Sequence, residues 1–263
     1  MIVVTDGRTL TGIDPGTTTG GTALDSRIVV RSRAVVITLA SVALFFLVTD
    51  LIVQTIDMRL EPGFTVWPQI VRFLDLNDES SLPTWFAVTM LGIAALLAGV
   101  IALAVWRHGE RYRWHWVALV VLIAGFSIDE GAQIHDSPSD TPLRDIVGTN
   151  GVLHYAWVIP ALVSAAVVAL VFARFFFALP ERTRILFAFS AATFVTGAVG
   201  FEMASGWYAD HNPGPSLVYE TLSSLEEFLE LAGVVLLIAG LLDYAGRRLG
   251  RTEIVWDTES RTQ

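Results

Sequence analysis

The segment FSIDEGAQIHD, residues 126–136, carries Asp129, Glu130, His135 and Asp136 straight out of the apolar run WVALVVLIAG. A second segment, YETLSSLEEFLELAG at 219–233, strings Glu220, Glu226, Glu227 and Glu230 along an apolar stretch of helical length. An ionisable side chain at membrane depth costs on the order of 3 kcal/mol or more unless it is paired, hydrated or bound to a metal. Such groups need partners or a task. Carboxylates with a few histidines and no sulfur suit Zn, Fe, Mn or Ca, all of which accept oxygen or nitrogen donors.

The donors come from several segments. Asp129, Glu130 and His135 end one apolar run, His154 opens the next in LHYAWVIP, Glu202 lies in GAVGFEMASG, and Glu230 lies in the last. These residues suffice for one divalent metal ion, with Asp129, Glu130, His135, His154 and Glu230 as ligands and Glu227 and Glu202 left to move a proton. The chemistry expected is that of a metal-dependent, membrane-embedded hydrolase or oxidoreductase acting on a lipid or other amphiphile. Two alternatives use the same residues: a proton- or cation-coupled transporter, and an accessory or scaffold subunit whose polar network holds helices in register. Glu-x-x-His pairs of the di-iron type are absent, because Glu130 and His135 stand five apart. The pair in LEEFLE lacks the arginine that follows the paired glutamates of intramembrane CAAX-type proteases.

On a helical wheel Glu220, Ser223, Glu227 and Glu230 form a stripe with Glu226 at its border, while Leu222, Leu225, Phe228 and Leu229 fall opposite. Glu202, Glu227 and Glu230 read as a turn or more inside the apolar region. Asp50, Asp57, Asp136 and His211 read as solvated helix ends. TDLIVQTID at 49–57 and IDEGAQIHD at 128–136 both space Asp, Gln and Asp at i, i+4 and i+7, one helical face.

The elements that must position these groups follow from composition. The chain has 263 residues, 53% of them hydrophobic and 16% charged. That is too apolar for an ordinary soluble domain. Six runs, 34–56, 85–106, 115–135, 152–177, 184–206 and 219–243, reach the length that crosses a bilayer as helix, which is about 20 residues. Lipid offers backbone groups no hydrogen bonds, so the fold class expected is an all-α integral membrane protein, its six helices arranged as three hairpins. The domain limits are a disordered tail at 1–33, the membrane domain at 34–245 and a short tail at 246–263. WPQIVRFLDL at 67–76 reads as a short amphipathic surface helix.

All 17 basic residues counted as Lys or Arg are arginine. A lysine Schiff base is therefore excluded, and with it retinal and pyridoxal chemistry. Most arginines fall on the side of residues 107–113, 182–184 and 247–251, whereas Arg59, Arg72 and Arg144 fall opposite. The positive-inside rule then makes both termini cytoplasmic and turns the acidic cluster to the extracytoplasmic side of a prokaryotic plasma membrane. With no cysteine, thiolate catalysis is excluded. A net charge of -9 argues against nucleic acid. The partners expected are membrane lipids and a lipid-like substrate, and the small residues of GAVG suit an oligomeric contact as well as an internal one.

Overall fold

The computed structural model describes residues 2–6, 26–30, 32–59, 67–78, 80–132, 134 and 150–248. The described residues from 32 to 248 are mostly helical. α1 spans Ser32–Asp57, α2 Trp67–Leu74, α3 Leu82–Arg107, α4 Arg113–Ala132, α5 Val158–Ala178, α6 Glu181–Val195, α7 Glu202–His211 and α8 Leu217–Arg248. A π-helical turn at Thr196–Phe201 joins α6 to α7, so that Glu181–His211 forms one span of 31 residues. With it, α1, α3, α4, α5 and α8 make six helices long and apolar enough to cross a membrane.

Two antiparallel strands, β1 at Ile2–Asp6 and β2 at Ser26–Val30, pair Ile2 with Val30. The β-branched runs IVVT and IVV suit a strand ladder, and the Gly- and Thr-rich stretch between them had dominated the composition.

α8 is the central helix, packed against α1, α3, α6 and α7. Its Ile238 and Leu241 are fully buried, as are Ala94 and Ala98 of α3. Small residues set the spacing. A Cβ on Gly233 would meet Phe194 Cβ at 2.8 Å and its backbone N at 2.9 Å, and one on Gly240 would meet the Phe187 ring at 2.5 Å. Only glycine lets α6 lie this close to α8. Outward faces are apolar, with Leu170 at 78%, Trp85 at 75% and Leu96 at 73% exposure. A belt of this kind is what lipid contact requires. Thr49, Thr55, Thr89, Thr196 and Thr221 each satisfy their hydroxyl on the carbonyl four residues back, so none of them brings an unpaired polar group to that belt.

The α1–α3 connection folds back on the bundle. Ser81 caps α3 by accepting from Thr84 N at 3.3 Å, and the Thr84 hydroxyl donates to the Asp78 carbonyl at 3.1 Å. That brace holds Leu76, which is 3% exposed, against the last turns of α1. α5 begins at Val158, later than the expected 152, because residues 151–157 form a 3-10 turn and bends after Gly151 at φ +58°. Pro160 sits in the first turn of α5, where a missing N–H leaves no hydrogen bond unmade.

Candidate functional site

Two carboxyl clusters flank the first half of α8. The first is built around Asp50, which is fully buried and not solvated as its place near the end of α1 suggests. Its Oδ2 lies 2.5 Å from Ser224 Oγ, and its Oδ1 accepts from Leu76 N at 3.4 Å. Burial comes from the folded-back segment after α2, 26 residues along the chain. Gln54, one turn on, hydrogen-bonds both Asp50 and Asp75. An amide NH2 has two protons and can serve both carboxyls.

Ser224 Oγ is also 2.7 Å from the Glu220 carbonyl. A hydroxyl donates one proton at a time, so when Ser224 donates to that carbonyl its contact with Asp50 needs a proton on the carboxyl. Burial pushes the Asp75 carboxyl above the ordinary range, against the pull of hydrogen bonds from Asn77 N–H and Gln54. Asp78 behaves oppositely. Burial would raise it, but hydrogen bonds from Arg72 Nε and Ser80 N–H, both at 2.9 Å, hold it below the ordinary value.

The second cluster lies where α7 meets α8. Glu226, 8% exposed, shares a side-chain hydrogen bond with Glu202, and Glu227 and Glu230 are within electrostatic reach. Glu202 Oε1 also accepts from Trp157 Nε1 at 3.0 Å. Two carboxyl groups hydrogen-bond to each other only with a proton between them. Close by, the Tyr155 and Tyr219 hydroxyls lie 2.9 Å apart. Burial first, then Tyr219 and the nearby Glu202 and Glu226, drive the Tyr155 hydroxyl far above its ordinary pKa, so it stays protonated and able to donate.

The π turn makes this juxtaposition. A Cβ on Gly197 would lie 2.7 Å from the Glu226 carbonyl oxygen and 3.1 Å from Glu230 Cγ. The turn therefore presses against the backbone of α8, and Glu202 follows it directly. π turns insert an extra residue into a helix and recur at functional sites because they re-aim the side chains beside them.

The expected site residues divide accordingly. Glu202, Glu227 and Glu230 come together, but the helical-wheel order is corrected, since Glu226 is the most buried of the α8 glutamates and the one that meets Glu202. Asp129 and Glu130 end α4, which packs chiefly along α3. His154 is drawn to α7, its Nδ1 3.9 Å from Asp210 Oδ1. His135 and Asp136 lie outside the described residues. Among the described residues no three His, Asp or Glu side chains are grouped to hold a metal ion. Of the expected five-residue ligand set, Asp129, Glu130, His154 and Glu230 are described and His135 is not. Sequence reasoning placed Glu226 only at the border of the acidic stripe, and it did not include Trp157, Tyr155 or Asp75 in the site.

At the opposite end of α8 a charge is handled in the ordinary way. Asp243 accepts from Thr183 Oγ1 at 2.8 Å and Arg247 Nε at 2.9 Å, with Arg182 Nε at 3.5 Å. Glu202 and Asp50 are handled differently: among the described residues their partners are other acids, an amide, hydroxyls, a backbone N–H and an indole.

Six helices long and apolar enough to cross a membrane, α8 central among them, with carboxyl groups clustered beside its first turns, define a multi-pass membrane protein. Residues 34–245 match the family described as a domain of unknown function, DUF8692, and the chain belongs to that family. No curated protein and no solved structure matches it.

Proposed function

We propose that this membrane protein binds and releases a proton at the Glu202–Glu226 pair, on one side of the membrane, and serves a proton-responsive transport or sensing function. What supports this reading is the packing of the π turn on α8, which brings Glu202 beside the buried Glu226; two carboxyl groups that meet this way do so stably with a proton between them. Glu227 and Glu230 lie within electrostatic reach of the pair. Tyr155 and Tyr219 supply hydroxyls through which a proton can be relayed.

The arrangement favours a one-sided site over a through-membrane wire. Beyond Glu230 the core face of α8 presents Leu231, Gly233, Val234, Ile238 and Leu241, all buried, before Asp243 is reached. From the arginine distribution the helices form three hairpins with both termini cytoplasmic, which turns the pair to the extracytoplasmic side. A metal-dependent enzyme acting on an amphiphile is the reading that the donor types suggested. It requires ligands from α4 and from the segment before α5 to converge on Glu230. The proton-sharing reading uses only contacts that the side chains make.

The test is a rapid pH jump on protein reconstituted in lipid vesicles, read with a pH indicator outside and another inside. A proton-binding site gives fast, saturable uptake from one side that Glu226→Gln removes. Uptake unchanged in Glu226→Gln and in Glu202→Gln would overturn it.

A further inference from the structure

We propose that a groove on α7, beside but separate from the glutamate pair, binds a single-chain amphiphile with a cationic amino headgroup, its chain in the groove and its ammonium at Asp210. The groove is shallow and open, offers about 520 Å³ and is lined mainly by Val152, Met203, Ala204, Trp207 and Leu222. That volume is within the range of small-molecule sites, and the lining suits an alkyl chain.

The headgroup end is marked by an unfinished pair. Asp210 Oδ2 accepts from Gly151 N at 3.0 Å, which fixes the carboxyl beside Val152, two residues past the groove-lining Tyr208. Asp210 Oδ1 is 3.9 Å from His154 Nδ1, beyond hydrogen-bond distance. His154 Nδ1 is buried and has no hydrogen-bond partner. As an acceptor it lacks a donor, and as a donor it lacks a near acceptor. Of the two, Asp210 Oδ1 is the atom that an N–H from outside can reach, since the Asp210 side chain is partly exposed.

The ring is not free to resolve this by moving away. A Cβ on Gly206 would lie 2.9 Å from His154 Cβ, and Tyr155 stands edge-on to the imidazole at 4.9 Å between ring centres. Charge selects the amine. Among the described residues this end of the bundle carries Asp57, Asp75, Asp78, Asp210 and Glu220 against Arg59 and Arg72, and Arg72 is engaged by Asp78. Asp210 also sits in the last turn of α7, where the helix dipole favours a cation.

The experiment uses the full chain in lipid nanodiscs with spin-labelled stearylamine and spin-labelled stearic acid, labelled at the same chain carbon, at a pH where both are charged. The motionally restricted fraction is read by electron paramagnetic resonance. The amine is expected to be restricted in excess of the acid by roughly fivefold. Asp210→Asn removes that preference, whereas Asp57→Asn, which alters an exposed carboxylate at the end of α1, leaves it. Gly200→Leu fills the groove and abolishes the excess restriction. A Cβ there meets nothing nearer than Thr196 Cγ2 at 3.7 Å, so the helix packing tolerates it. Ala204→Leu fills the same groove and guards against misfolding of the first variant. Equal restriction of amine and acid, equal losses in the two Asp→Asn variants, or retention of the excess in both filled variants would each overturn the proposal. None of these outcomes depends on Glu202 or Glu226.

Discussion

At the residue scale the chemistry rests on how each buried carboxyl is satisfied. Asp50 is held by Ser224, Gln54 and Leu76 N–H. Asp50→Asn keeps an acceptor for these donors. Asp50→Leu leaves Leu76 N–H and the Gln54 amide short of a partner, a loss of about 1–3 kcal/mol. Thermal unfolding in detergent should therefore rank wild type and Asn together, well above Leu. The Asp75–Asp78 pair sets a pH dependence for the same segment. Asp75 is raised by burial, so its contribution is complete below the ordinary carboxylate value and lost as pH climbs through the raised one. Asp78 is lowered, so its contribution is present above the ordinary value and lost as pH falls through the lowered one. Hydrogen exchange at residues 75–81, corrected for intrinsic rates, should be slowest in the mildly acidic window between them. Asp75→Asn should abolish the loosening on the alkaline side only.

At the element scale, glycines that meet a neighbour differ from glycines that do not. Gly233→Ala forces Phe194 and the α6 backbone away from α8, whereas Gly92 and Gly125 have nothing within 4 Å of a new Cβ. Alanine at these open positions should stabilise by up to about 1 kcal/mol through helix propensity, and Gly233→Ala should destabilise. Melting temperatures that failed to separate the two groups would contradict the packing described. Gly197→Ala has a further consequence, because the displaced group is the carbonyl of Glu226. It should disturb the glutamate pair without altering any titratable side chain. Much at this scale was legible in the sequence. The runs at 34–56 and 219–243 lie within α1 and α8, and WPQIVRFL forms α2. The π turn was not, since GAVG signals close approach but not the extra residue. Nor was the order of Glu226 and Glu227, because they lie 100° apart and periodicity fixes a helix's rotation only to about a quarter turn.

At the scale of the whole molecule, apolar content and span length sufficed for a six-helix membrane domain, since lipid leaves the backbone few alternatives. Which helix lies at the centre was not legible. α8 is less hydrophobic than α1 and α3, but Gly233 and Gly240 let α6 close on it while α1 and α3 pack its other sides. The burial of Asp50 was hidden for a related reason, as it depends on Leu76 folding back across a turn held by Ser81 and Thr84. The metal expectation drew on residue types, which a sequence shows, and on convergence, which it does not. The proposed topology is tested with reporter fusions: both termini should report the cytoplasm, and an insertion between 137 and 149 the opposite side.

The most direct test of the shared proton is infrared spectroscopy of the protein in lipid, titrated with pH in light and heavy water. A protonated carboxyl has a carbonyl stretch distinct from that of a carboxylate and shifts on deuteration. If Glu202 and Glu226 hold a proton between them, wild type shows such a band at neutral pH, Glu226→Gln and Glu202→Gln each remove it, and Glu220→Gln leaves it. A wild-type spectrum without the band at neutral pH, or one whose band survives both substitutions, would contradict a proton bound by this pair.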